Sequence, residues 1–84
     1  MSSPRVGYAR HARSRMRLYG ITAQQVESAL FDPDGAPRLE SDRLVVLKLT
    51  PEAFGGMPLK VIYIMEMDRI IVLSAYPLKR AYRR

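Results

Sequence analysis

His11 and Arg15 stand four residues apart in the stretch YARHARSRMRLYGIT, residues 8–22, which holds four arginines and no acid. On a helix that spacing stacks both side chains on one side. An imidazole exchanges a proton near neutral pH. A guanidinium one turn away grips a phosphate with two parallel hydrogen bonds. The pair suits RNA cleavage in which a ribose 2′-hydroxyl attacks its own phosphate. That reaction needs a base, an acid and a cation for the developing charge, but no metal. The plainer reading is a rim histidine bonding a neighbour and a rim arginine lying along apolar surface.

A second set of candidates lies near the end of the chain. Ser74 and Tyr76, with Tyr63 beside them, are hydroxyls in otherwise apolar runs and need partners. A phosphate, a backbone carbonyl or a second chain would serve; for Tyr63 packing is the better reading. Lys48 and Lys60 flank the central loop and would line a groove with Arg15, or else protect strand edges. Arg10, Arg13 and Arg17, with Lys79, Arg80, Arg83 and Arg84, would hold a nucleic-acid backbone, adding affinity and salt dependence without reading bases. Their alternative is a solvated helix face and a loose tail. Glu66 and Arg69 form a cross-strand pair of little energetic weight.

Composition narrows the chemistry. The chain has no cysteine and one histidine among 84 residues, so neither thiolate ligands nor a His-rich metal site within one chain is available. No metal and no cofactor is expected. No apolar run approaches the roughly 20 residues of a membrane span, and the start lacks a signal-peptide apolar region; a cytoplasmic protein is expected. Net charge is +6, unevenly spread. Residues 1–20 carry five arginines and residues 79–84 four cations, with no acid in either segment, whereas residues 21–78 carry five basic and eight acidic side chains. Two basic ends around a slightly acidic body attract RNA, another polyanion or an acidic protein.

The elements that must position these residues follow from period and caps. The spacing predicts a helix over residues 6–19, with Tyr8, Ala9, Ala12, Met16 and Tyr19 on the buried face, Arg10, Arg13 and Arg17 in water, and His11 and Arg15 at the rim. Gly20 suits the position just past its end. Thr22 and Gln25 form a capping box, and Ile21 and Val26 a hydrophobic staple, for a second helix ending near Phe31. DPDG, residues 32–35, reads as a type I turn, and the two helices as a tight hairpin. Four strands follow: PRLE up to a Ser41-Asp42 turn, RLVVLKLT stopped by Pro51, LKVIYIME after a Gly/Pro loop, and RIIVLSAY after Met67-Asp68.

The expected architecture is one α+β domain: a two-helix hairpin on a four-stranded antiparallel sheet, with a core of 6–77 and a basic tail of 78–84. If Glu66 lies opposite Arg69, Ile62, Ile64, Ile71, Leu73 and Ala75 share one face. Val61, Tyr63, Met65, Ile70, Val72, Ser74 and Tyr76 then share the other. The helices are expected on the purely aliphatic face. The hydroxyl-bearing face would be shielded by a homodimer partner, the tail or a ligand.

HARSRMRLYGITAQQVESAL resembles the opening motif of the bacterial domain-of-unknown-function 4258 family: His-Ala, an Arg-Met four residues after the His, Gly-Ile-Ser/Thr, then a second helix. IIVLSAYP is similar to its closing motif, a strand ending in a hydroxyl residue and Tyr-Pro, with Ser74 where threonine is commoner. The resemblance covers residues 8–77. That family looks distantly like the RelE- and BrnT-type ribonuclease toxins, which implies a site of His11, Arg15, Ser74 and Tyr76 and an acidic antitoxin partner. One departure is that the interior of the last strand carries no basic residue. Two functions stand open: a toxin-like, metal-independent endoribonuclease, or a non-catalytic dimeric module binding nucleic acid or an acidic protein.

Overall fold

Residues 5–50 and 52–79 are described by the computed structural model; Pro51 and Arg80, Arg83 and Arg84 of the expected tail lie outside them. The order is β1 (Arg5–Tyr8), α1 (Arg10–Tyr19), α2 (Ala23–Phe31), β2 (Arg38–Glu40), β3 (Arg43–Leu49), a 3₁₀ turn at Phe54–Gly56, β4 (Pro58–Glu66) and β5 (Arg69–Pro77). The five strands form one mixed sheet, ordered β1-β5-β4-β3-β2. β1 runs parallel to β5, and the remaining pairs are antiparallel. The chain is therefore α+β, but the sheet has five strands rather than four, and a strand precedes the helices.

β1 corrects the expected start of the first helix. Val6 and Tyr8 alternate in a strand beside Ile70 and Val72, and the helix begins only at Arg10. The Ala9 N–H donates to the Val72 carbonyl (2.9 Å), which joins the strand to the helix. α1 ends at Gly20, whose φ of 68° is the left-handed conformation glycine takes without strain. Its N–H and that of Ile21 both donate to the Met16 carbonyl.

Thr22 caps α2 as the sequence predicts. Its hydroxyl accepts from the Gln25 N–H (3.1 Å), and the Gln25 amide oxygen accepts from the Thr22 N–H (2.9 Å). Ile21 and Val26, the staple pair, are both buried. The expected tight hairpin is not formed: α1 packs mainly on β5, and α2 on β3 and β4. Residues 32–37 form an irregular bend. It is fixed by the Asp34 N–H donating to the Leu47 carbonyl and by the Asp34 carboxylate accepting from the Leu49 N–H.

Beneath the helices lies one core. Ala12, Val26, Ala29 and Leu30 meet Val46, Leu59, Val61, Tyr63, Ile70 and Val72. The helices thus cover the Val61, Tyr63 and Val72 face, opposite to the face expected. In a strand apolar on both sides, the period of two locates the faces but does not say which one the helices take. Tyr8 crosses this layer and its hydroxyl donates to Glu27 Oε2 on α2 (3.0 Å).

The β4–β5 hairpin has the two-residue Met67-Asp68 turn, and Glu66 lies opposite Arg69. No ion pair joins those two side chains among the described residues. A methyl group on Gly7 would stand 3.2 Å from Arg69 Nη2, so the guanidinium lies over this glycine of β1 instead.

Candidate functional site

A bulge in β5 decides which side chains the site receives. Tyr63 pairs with Val72, but Ile62 pairs with Ser74, leaving Leu73 as an extra residue. Up to Val72 the register keeps the expected parity. Beyond it, every side chain changes face. Ser74 and Tyr76 therefore leave the face of Val72 and join Ile62 and Lys60 on the side away from α2. Ala75 takes their place in the core, fully buried opposite Val61. Without Leu73 bulging out, both hydroxyls would point into the helix-covered layer.

β1 covers only residues 69–72 of β5. α1 starts where β1 stops and runs beside the rest of β5. Its His11, Arg15 and Tyr19, each one turn from the next, front the same hollow as the two hydroxyls. The result is a cleft of about 910 Å³ lined by His11, Arg15, Tyr19, Arg43, Ile62, Leu73, Ser74, Tyr76, Leu78 and Lys79, with no Asp or Glu in its wall among the described residues. The imidazole from the front of the chain and the hydroxyls from its back thus share one cavity.

Within it, Arg15 is held from both sides. Its Nε–H donates to His11 Nε2 (3.3 Å), and its Nη1 donates to the Tyr19 hydroxyl (3.5 Å). Nε2 accepts only in the neutral ring with its hydrogen on Nδ1. Two of the five guanidinium N–H groups are used this way, which leaves three for an anion. The guanidinium lies 5.9 Å from the centre of the Tyr76 ring, and Lys60 Nζ lies 5.8 Å from the same centre. Both are within the range at which a ring face attracts a cation. Ser74 is 8% exposed, lines the cleft and takes part in no side-chain hydrogen bond among the described residues.

The other candidates divide. Lys60 and Lys79 join the cleft region, the latter in its wall. Lys48 does not. It lies opposite Leu59 on the helix-covered face, where its ammonium pairs with Asp32 (3.1 Å) and approaches Asp34 (4.0 Å). The groove expected to join Lys48, Lys60 and Arg15 is corrected accordingly: Lys48 and Lys60 have opposite parity across the β3–β4 register, and a sheet separates them. Arg10, Arg13 and Arg17 are exposed on the outer side of α1. Tyr63 is core, 6% exposed, and burial pushes its phenol above the ordinary value. Tyr8 is raised as well, first by burial and then by its hydrogen bond to Glu27 and that side chain's charge.

Sequence reasoning missed Arg43 and the exposure of Tyr19. Arg43 follows the Ser41-Asp42 turn among other charged residues and gave no signal. Tyr19 fits the apolar stripe of α1, yet it is 40% exposed and fronts the cleft. Among the described residues, no three His, Cys, Asp or Glu side chains come together as a metal site would need, and no helix is long and apolar enough to cross a membrane. No family model, characterised protein or solved structure matches the chain.

Proposed function

We propose that this cleft binds single-stranded RNA through its phosphates and cleaves it without a metal. The observation that carries the reading is the convergence of His11, Arg15, Ser74 and Tyr76 in one acid-free cavity. A phosphate there meets the free guanidinium N–H groups of Arg15, with Lys60 across the Tyr76 ring. The Ser74 and Tyr76 hydroxyls orient it. His11 Nε2 takes the proton of the ribose 2′-hydroxyl as the 2′-oxygen bonds to phosphorus. The bond from phosphorus to the 5′-oxygen breaks, and that oxygen takes a proton from water. The products are a 2′,3′-cyclic phosphate and a free 5′-hydroxyl. Arg10, Arg13, Arg17 and the basic residues after Lys79 add contacts to the flanking backbone.

The resemblance of residues 8–77 to the 4258 family and, distantly, to ribonuclease toxins belongs to this proposal, as do an acidic antitoxin partner and action in the cytoplasm. A second reading has one observation in its favour. The lone pair that a base needs, on His11 Nε2, accepts from Arg15. If RNA does not displace that contact, the domain is a non-catalytic binding module. Its half-buried aliphatic face around Ile62, Ile64 and Ile71 then serves a homodimer.

The test is RNA cleavage, with and without ribosomes, by wild type and His11→Ala. Catalysis predicts cyclic-phosphate ends from wild type, none from the variant, and melting temperatures within a few degrees of each other, because His11 is exposed. Equal inertness of both proteins defeats the nuclease reading and leaves the binding one.

A further inference from the structure

A second hollow of about 270 Å³ adjoins the cleft. Ala36, Val45, Leu47 and Leu78 supply apolar walls, and Arg38 and Glu40 of β2 a polar rim. The sheet register ties the two hollows together. Arg38 lies opposite Val45, Val45 opposite Ile62, and Ile62 opposite Ser74. In the neighbouring row Leu47 lies opposite Lys60 and Lys60 opposite Tyr76. Partners directly across antiparallel strands share a face, so each row runs from the wall of one hollow into the other. Lys60 lines the second hollow and reaches toward the Tyr76 ring of the first.

We propose that the second hollow is a nucleobase subsite that selects guanine, a reading that rests on phosphate binding in the adjoining cleft. The apolar walls offer aliphatic surface against which a base face packs. The rim offers both hydrogen-bonding senses: Arg38 Nη2 donates to Glu40 Oε2 (3.1 Å), which leaves Glu40 Oε1 as an acceptor and further Arg38 N–H groups as donors. Guanine alone among the four bases presents two adjacent N–H donors, N1–H and N2–H, next to the O6 acceptor. A carboxylate receives the two donors and an arginine the oxygen. The nearby Asp34 is tied down on one oxygen by the Leu49 N–H and has the Lys48 ammonium 4.0 Å from the other, whereas Glu40 has only its Oε2 engaged, by Arg38, so Glu40 is the group assigned to the base. A guanine there leaves its own phosphate beside Lys60 and Tyr76.

The experiment titrates inorganic phosphate and the four 3′-mononucleotides into ¹⁵N-labelled full-length wild type and Glu40→Gln, read by amide chemical shifts. The Arg38–Glu40 pair is exposed, so the variant keeps its fold. The expected result is that 3′-GMP binds wild type about tenfold more tightly than the other three nucleotides, the discrimination typical of a paired base edge. Glu40→Gln should erase that preference and leave the phosphate affinity unchanged. Equal binding of all four nucleotides overturns the subsite while phosphate binding stands. A preference for another base overturns the guanine assignment. Absence of shifts with phosphate and with every nucleotide defeats both this inference and the reading beneath it.

Discussion

Replacing Arg15 with methionine keeps the length and apolar reach of the stem and deletes one charge from the cleft. Arg15, Arg43 and Lys79 line the cleft, and Lys60 lies against its Tyr76 wall. Four cations engaging four phosphates of a single strand give a slope of log K against log salt near −2.8, at about 0.7 per contact. Affinity then falls roughly 50-fold between about 50 and 200 mM salt. With Arg15→Met the cleft's contribution drops to a slope of about −2.1, and the same interval costs roughly 18-fold. Basic residues elsewhere in the chain add to both slopes equally, so the difference of about 0.7 is the informative quantity. Lys48→Met is the matched control. Lys48 is on the other side of the sheet and its charge is answered by Asp32, so its removal leaves the slope unchanged. Fluorescence anisotropy of a labelled single-stranded RNA across a salt series measures all three proteins. Equal slopes for Arg15→Met and wild type, or equal changes for Arg15→Met and Lys48→Met, refute the assignment of binding to the cleft.

Two stability predictions accompany it. Thr22→Ala removes one half of the capping box and costs about 1 kcal/mol, read as a lower denaturant midpoint with unchanged slope; no shift in midpoint contradicts the role of the cap. Tyr8 and Tyr63 titrate above the ordinary phenol value when folded. The folded state therefore holds their protons longer than the unfolded chain does. Their contribution is fully present below about pH 10, the unfolded value, and is lost as pH rises from there toward the folded values. The denaturant midpoint should decline above that pH, less steeply in Tyr8→Phe; a midpoint that holds or rises, or an identical decline in the variant, removes this account.

The sequence was most legible where signals were local. The α2 cap needs only Thr22 and Gln25, and the turn of the last hairpin only the two apolar runs around Met67-Asp68; the cap took the expected form, and so did the hairpin pairing from Glu66–Arg69 as far as Tyr63–Val72. β1 was not legible, because Arg5–Tyr8 has only four residues and its partner in β5 lies more than sixty residues away. Val6 and Tyr8 fit a helical start as well as a strand until that partner is known. The bulge at Leu73 was hidden for a different reason. In a strand apolar on both faces, inserting one residue leaves the pattern looking the same. Half of the site, the i, i+4 pair of His11 and Arg15, could be read from spacing alone. The other half, Ser74 and Tyr76, sits in the cleft through a shift in register that only the folded chain displays, and the same parity puts Lys60 in reach and Lys48 out of it.

On the proposed function, RNA lies between α1 and the side of β5 that carries Ser74 and Tyr76. Amide chemical-shift mapping with a short single-stranded RNA, its ribose 2′-positions blocked against cleavage, locates the bound strand directly. The largest shifts are expected at His11, Arg15, Arg43, Ser74 and Tyr76. Shifts confined to Arg10, Arg13 and Arg17 on the outer side of α1, with Ser74 and Tyr76 unmoved, would contradict it.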